Sequence, residues 1–188
     1  GGMLISFQSI GNLLASFLGG IISVYIGRRN AIVALSLMTA LGFSGMVIFK
    51  SPAILILPFF LTGIGRGSVS NLSNTIVNDV SDGNPKDLNI LHTFFAVGAF
   101  MAPFVSSWLL NNGFSWRFVL GLVATLAALM TLNFATSNID NTRAERERKE
   151  DRKKSSLDFL KNVDFYLSSG ILFFYVGVEY AVNNWIVT

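Results

Sequence analysis

Two ionisable side chains, Arg66 and Glu179, lie well inside long stretches of sequence that otherwise carry no charge. A charge in the hydrocarbon core of a bilayer is costly, so such a residue usually binds a solute, an ion or a charged partner. Residues four apart share one face of a helix, which places Tyr175 and Asn183 on the stripe of Glu179. Their polar groups can hydrogen-bond to a polyhydroxylated ligand, and Trp185 can pack on its apolar side. A structural bond from Glu179 to a neighbouring helix is the alternative.

Arg66 stands in the segment Gly-Ile-Gly-Arg-Gly-Ser, whose small residues allow two helices to approach closely. Asn71 and Asn74 follow it, so much of the inner half of this predicted helix is polar. Gln8 and Asn12 are four residues apart, and they either line the same cavity or form hydrogen bonds across helices. Binding of a substrate anion and purely structural pairing both stay open for Arg66.

The single histidine, His92, is a candidate for proton transfer because imidazole titrates near neutral pH. A hydrogen-bonded residue at the membrane interface is the alternative. The sequence has no cysteine, no P-loop and no catalytic triad, so it predicts neither an enzyme nor an ATP-driven pump. We expect no cofactor and no metal ion. The net charge of +3 is small and the basic residues are mixed with acids, which does not favour nucleic-acid binding.

The composition of the 188 residues is that of a membrane protein, with 52% hydrophobic and 13% charged residues. Soluble domains carry about 25% charged residues. About 20 apolar residues cross a bilayer as a helix, and the uncharged runs are of that length. The sequence therefore predicts an all-α integral membrane protein with six transmembrane helices, at 3–26, 31–49, 52–78, 89–111, 115–136 and 163–187.

The basic residues of the connections are distributed unequally, and most lie in one segment, 137–162. Three alternate connections hold eleven Lys and Arg residues, while the opposite side holds Lys50 and Arg117. Because Lys and Arg concentrate on the cytoplasmic side, the charged 137–162 segment is predicted to be a cytoplasmic linker. The domains are then a bundle at 1–136, the linker at 137–162, and a first helix of a second bundle at 163–188.

The turn after the first predicted helix carries a family signature. Its sequence Gly20-Ile-Ile-Ser-Val-Tyr-Ile-Gly27-Arg28-Arg29 resembles the Gly-x-Leu-x-Asp-Arg-x-Gly-Arg-Arg/Lys motif of the major facilitator superfamily, although its acidic and first basic positions are Val and Tyr here. The resemblance implies that the six helices are helices two to seven of a twelve-helix fold. It also implies a conformational latch. This latch comprises Gly20, Gly27, Arg28, Arg29 and Asp79.

Two further segments resemble the fucose permease-like branch of that superfamily. One is Leu88-Asn89-Ile-Leu-His92-Thr-Phe-Phe-Ala-Val-Gly98-Ala, and the other joins Tyr175, Gly177 and Glu179 to Trp185. An acidic residue of the fucose permease falls on Ser70 here, which argues against proton coupling through this helix.

The branch resemblance implies a sugar transporter coupled to protons or sodium, with Glu179 and His92 as candidates for ion coupling. Its expected partners are a small solute, a coupling cation and the lipid bilayer. We expect a monomer in the plasma membrane, of which this sequence is a fragment. A drug/proton antiporter and a non-transporting scaffold or receptor are the alternatives, because Gly98 to Pro103 also resembles the helix-five motif of antiporters.

Overall fold

A computed structural model describes residues 2–142, 145–146 and 162–185, and for 172, 176, 177 and 179–185 it describes the backbone alone. The described residues form six α-helices and no strand, which confirms the predicted all-α fold. The helices are α1 (Gly2–Ile26), α2 (Arg28–Ile48), α3 (Pro52–Val80), α4 (Pro85–Asn111), α5 (Trp116–Thr136) and α6 (Val163–Trp185).

Five of the described helices, α1 to α5, are long and apolar enough to cross a membrane. They have between 21 and 29 residues. At about 1.5 Å per residue, each of them is as long as the hydrocarbon core of a bilayer is thick. In α6 the described apolar segment is shorter and runs from Val163 to Tyr175. The chain is therefore a multi-pass membrane protein.

Three helix pairs make most of the packing: α1 with α3, α2 with α3, and α2 with α5. The buried hydrophobic cluster lies where α2 meets α3, and it consists of Ala31, Ile32, Leu35 and Leu72. Ile22 of α1 and Phe134 of α5 pack against this cluster. Four helices thus meet around one small core, whereas α4 buries only Leu109.

Two helices begin earlier than the uncharged runs predict. α2 begins at Arg28 rather than at residue 31, and α4 begins at Pro85 rather than at residue 89. The start of α4 has a local cause, because the Asn84 side chain accepts a hydrogen bond from the Lys86 backbone amide and proline favours the first helical turn. Helix boundaries follow these local caps, and the first or last charged residue is only an approximate marker of them.

The chain divides into two compact units, residues 1–146 and 147–188. The first unit holds α1 to α5 together with the beginning of the predicted linker, and the second holds α6. Most of 137–162 lies outside the described residues, so its role as a cytoplasmic linker between two bundles stays a prediction.

Candidate functional site

A polar seam runs between α1 and α3. The Gln8 side-chain amide donates a hydrogen bond to the Thr62 hydroxyl at 3.2 Å, and that hydroxyl donates to the Phe59 carbonyl at 2.8 Å. Thr62 is buried, with 2% of its surface exposed, whereas Gln8 is half-buried. The bond explains how a membrane helix can bury the Thr62 hydroxyl without leaving it unsatisfied.

Glycines let the two backbones of the seam approach closely. A Cβ added at Gly63 would lie 2.8 Å from the backbone carbonyl carbon of Gln8, and one at Gly67 would lie 2.7 Å from the Asn12 carbonyl oxygen. The Asn12 side-chain oxygen also lies against Gly67. Helices in membranes gain van der Waals contact by placing small residues at their crossings. The glycines around Arg66 therefore fix α1 against α3 and bring Gln8 and Asn12 to this seam.

Arg66 occupies the middle of the 29-residue helix α3, and its side chain is exposed. Gly63 and Gly67 face α1, while Gly65 lies against Thr39 of α2. Ser70 and Ser73 lie four and seven residues after Arg66, so they share its stripe of α3, and Ser70 is exposed as Arg66 is. Within the described part of the chain, Arg66 forms no ion pair or hydrogen bond.

Asn71 and Asn74 both belong to α3, but they lie at different angles around its axis. Asn71 is exposed and its carbonyl accepts a hydrogen bond from the Thr75 hydroxyl at 3.0 Å, while Asn74 is half-buried. At about 100° per residue, Asn74 lies closer to the Arg66 stripe than Asn71 does. Of this predicted pair, Asn74 is thus the better placed to line a cavity beside Arg66.

His92 lies in the second turn of α4 and is exposed, with no hydrogen bond among the described residues. Tyr175 of α6 is also exposed. The side chains of Glu179, Asn183 and Trp185 lie outside what the structure describes, so their predicted roles in solute binding and ion coupling stay predictions.

A second group of interacting residues surrounds the turn between α1 and α2, and we call it the turn cluster: Arg28, Arg29, Asp79, Ala135 and Asn141. The Arg28 guanidinium forms an ion pair with the Asp79 carboxylate of α3. The Arg28 side chain is 2% exposed and that of Asp79 is 14% exposed. Removing either partner of such a buried pair leaves an uncompensated charge, so the pair ties this turn firmly to the end of α3.

Asn141 provides the N-terminal cap of α2 from a distant part of the chain. Its side-chain oxygen accepts hydrogen bonds from the backbone amides of Arg28, at 2.8 Å, and Arg29, at 3.5 Å. Gly27 precedes the helix with a φ of 86° and has no side chain to cap it. The cap explains why α2 begins directly after Gly27.

Arg29 and the short turn around Asn141 complete the turn cluster. The Arg29 guanidinium donates to the carbonyl of Ala135 in the last turn of α5. Asp140 accepts a hydrogen bond from the Thr142 backbone amide at 2.9 Å, which fixes the turn that carries Asn141. Hydrogen bonds from the Thr142 hydroxyl and amide, helped by Arg146, lower the pKa of Asp140. Its carboxylate is therefore ionised at neutral pH, where it accepts these bonds.

The glycines of the motif differ in their surroundings. A Cβ at Gly27 would lie 3.0 Å from three atoms of the Asn141 side chain, whereas one at Gly20 would meet nothing within 4 Å. The neighbouring Gly19 is the buried glycine, and it lies against Ser68 of α3. Among the five residues that the resemblance assigns to a latch, the structure brings together Gly27, Arg28, Arg29 and Asp79. It leaves Gly20 apart from that group.

Sequence reasoning missed Thr62 and Asn141. Thr62 is an ordinary hydroxyl inside an apolar helix. Asn141 lies 113 residues from its partner Arg28, and no local pattern joins them. The one available signal was Gly27 itself, because a glycine before a helix leaves the first amides without a side-chain cap.

The comparison with known protein families decides which family this is. The family model of the Major Facilitator Superfamily matches residues 1–188. The chain belongs to the major facilitator superfamily. Proteins of this superfamily are membrane transporters rather than enzymes.

Relatives in the superfamily are similar at low identity. The chain is 31% identical over 74% of its length to the Bacillus subtilis protein NiaP, which is named for niacin/nicotinamide transport. It is 26% identical over 69% of its length to human solute carrier family 2, facilitated glucose transporter member 12. It is 24% identical over 86% of its length to a protein of Arabidopsis thaliana named as inositol transporter 3. No solved structure matches significantly.

The chain spans only part of each relative: 35% of the length of NiaP, 21% of the glucose transporter and 28% of the inositol transporter.

Proposed function

We propose that the protein is a secondary active transporter that moves a small polar solute, in the first instance a sugar, by alternating access. The polar seam carries this proposal. An apolar membrane helix has no structural need for an arginine at its centre, yet α3 carries Arg66 one turn after Thr62, the partner of Gln8. Polar and charged groups inside a membrane mark solute and ion pathways, and transporters hold their solute near the midplane.

The solute class follows from the hydrogen-bonding groups and from the relatives. Amide, hydroxyl and guanidinium groups together donate and accept the bonds that sugar hydroxyls need. Two of the relatives are named for transport of glucose and inositol, which are polyhydroxylated. We propose that Gln8, Asn12, Arg66 and Asn74 line the part of the binding cavity that α1 and α3 contribute. Asn71, Tyr175, Glu179, Asn183 and Trp185 complete the proposed set.

The turn cluster supports the conformational part of the proposal. A buried ion pair and a helix cap hold the α1–α2 turn, the end of α3 and the segment after α5 in one arrangement. We propose that this turn faces the cytoplasm of a cell whose plasma membrane holds the transporter, that it closes the inner side of the cavity, and that it loosens when the cavity opens inward. Glu179 and His92 are proposed to couple transport to a proton or sodium gradient, as in the fucose permease-like branch.

Uptake into liposomes tests the proposed function. The full-length protein is reconstituted, a proton or a sodium gradient is imposed, and labelled sugars are compared with lipophilic cations. Gradient-driven accumulation of a sugar supports the proposal. Exchange of lipophilic cations for protons would instead identify a drug antiporter. Absence of transport for the whole panel, in protein that is folded and oriented, would indicate a scaffold or receptor.

A further inference from the structure

The charge of Arg66 has no counter-charge inside the first unit. The sequence 1–146 has five acidic residues, and all of them lie at or beyond helix ends: Asp79 in the last turn of α3, Asp82 in the α3–α4 connection, Asp87 in the first turn of α4, and Asp140 and Glu145 after α5. The nearest of them along α3, Asp79, is thirteen residues from Arg66, about 20 Å along the helix. Asp79 is also already bound to Arg28. The acids of this unit therefore do not neutralise the centre of α3.

The surroundings of Arg66 are polar on both sides along its helix. One turn earlier, Thr62 holds the Gln8 amide, and one turn later stands the exposed Ser70. The Gln8 amide uses one hydrogen of its nitrogen for Thr62, and among the described residues its oxygen accepts no bond. A ligand beside Arg66 would meet hydroxyl-binding groups about 6 Å away along α3.

These observations favour an anionic ligand. A guanidinium keeps its positive charge at all physiological pH values, and an unpaired charge in the hydrocarbon region of a membrane is costly. Its planar fork matches a carboxylate with two parallel hydrogen bonds. A neutral sugar would satisfy the hydrogen bonds of the seam and leave the positive charge without a counter-ion.

We propose that the transported solute is a sugar-like compound that carries a carboxylate, and that Arg66 binds this carboxylate while the half-buried Gln8 faces its hydroxyl groups. This inference rests on the proposed transport function and narrows its solute class from sugars to sugar acids. Glu179, whose side chain the structure does not describe, is the rival counter-charge, and the experiment below separates the two.

Glucose and glucuronate form a matched pair of probes, because they share one ring and differ by a carboxylate at a single carbon. Binding of both is measured on the purified full-length protein and on the Arg66→Gln and Arg66→Lys variants. The control is Arg117→Gln, which removes the same charge at the start of α5, where Arg117 lies over the ring of Trp116.

We expect the unmodified protein to bind glucuronate at least about 10-fold more tightly than glucose, since charge-assisted bonds of this kind are worth a factor of about 10 to 100. Arg66→Gln should remove that preference, because it should lower the affinity for glucuronate at least about 10-fold more than the affinity for glucose. Arg66→Lys should keep part of it, because an ammonium retains the charge and loses the bidentate geometry. Arg117→Gln should bind both probes as the unmodified protein does.

Equal affinity for the two probes in the unmodified protein overturns the inference, as does binding of neither. So does an equal loss for both probes in Arg66→Gln, which is the result expected if Arg66 only pairs with Glu179. If Arg66→Gln fails to fold, the preference of the unmodified protein and its partial retention in Arg66→Lys still decide the matter. Gradient-driven glucose uptake without a carboxylate preference removes the inference and keeps the transport function. Glucuronate binding that depends on Arg66, without transport of any probe, would keep the inference that Arg66 binds a carboxylate and would remove the proposed transport function.

Discussion

Asn141 caps α2, although it is 113 residues away from Arg28 in the sequence. Its side chain therefore links the segment after α5 to the start of α2. Its oxygen serves two backbone amides that would otherwise be unsatisfied, because Gly27 supplies no side-chain acceptor. Gly27 in turn is required by its φ of 86° and by the closeness of the Asn141 amide. The two residues are therefore mutually dependent.

Asn141→Ala should lower the free energy of unfolding of the full-length protein by about 1 kcal/mol, the usual cost of losing an N-cap. Asn138→Ala is the matched control, since Asn138 is exposed in the same segment and makes no hydrogen bond among the described residues. Melting temperatures of the two purified variants give the answer. Equal melting temperatures would mean that the cap contributes nothing to stability.

Gly27→Ala should destabilise the protein more than Gly113→Ala does. Both glycines have a positive φ, 86° and 85°, so an alanine is strained at either position. An alanine Cβ meets the Asn141 side chain only at Gly27, whereas nothing lies within 4 Å at Gly113. In an Asn141→Ala background the difference between the two melting temperatures should shrink, and the amount by which it shrinks measures that contact.

At the scale of helices, the closeness of α1 and α3 depends on glycines that meet backbone atoms. At Gly63 an added Cβ would meet the main chain of Gln8 and Asn12, which cannot rotate away as a side chain can. Gly98 of α4 has nothing within 4 Å. The same residue type thus has a packing role in one helix and open space around it in another.

Gly63→Ala should force α1 and α3 apart at a cost of about 1–3 kcal/mol, the range for overpacked interiors. It should also weaken solute binding, because the Gln8–Thr62 bond spans the same seam. Gly98→Ala is the control and should leave melting temperature and binding unchanged or slightly improve stability. Wild-type stability of Gly63→Ala would show that the helices can separate freely.

The helices themselves could be predicted from the sequence because uncharged runs of about 20 residues have no other stable form in a bilayer. The predicted start of α2 at residue 31 was wrong because its cap comes from Asn141, on the far side of three intervening helices. Arg66 was recognisable as a site candidate from its charge alone. Its neighbour Thr62 was not, because only the packing of α1 against α3 gives that hydroxyl its partner Gln8.

At the scale of the whole molecule, the ion pair between Arg28 and Asp79 joins the α1–α2 turn to the end of α3. In the proposed mechanism this pair belongs to the closed inner side and separates when the cavity opens inward. Two-state equilibria of this kind shift when one state loses a few kcal/mol of stabilising contacts.

Replacing Arg28 and Arg29 with glutamine should slow transport while solute affinity stays within about threefold, because the turn cluster lies far from the polar seam along the helices. The paired replacement Arg28→Met with Asp79→Leu should be less damaging to stability than either single replacement, since no charge is left buried alone. Uptake rates, binding constants and melting temperatures on the same preparations test both statements. An unchanged uptake rate in the arginine double variant would argue against a latch.

The predicted orientation is open to a direct measurement, since the sequence 1–188 contains no cysteine. In a full-length protein freed of any other cysteine, Asn112→Cys in the α4–α5 connection should react with an impermeant thiol reagent in intact cells. Ser155→Cys in the predicted cytoplasmic linker should react only after the membrane is opened. The reverse pattern would invert the assignment of the two sides.

The short connection between α5 and Asn141 restricts where a reporter can be inserted into this protein. Only residues 137–140 separate the last residue of α5 from the capping amide. One extended residue spans about 3.3–3.6 Å, so adding or deleting a single residue there carries the amide beyond hydrogen-bond range. A fluorescent domain or an affinity tag placed between 137 and 140 should therefore uncouple the α2 start from α5, even though such a short surface connection resembles a tolerant insertion point. The highly charged stretch after residue 146 is the better location, because it lies beyond Asn141 and the hydrogen bonds described for the turn cluster.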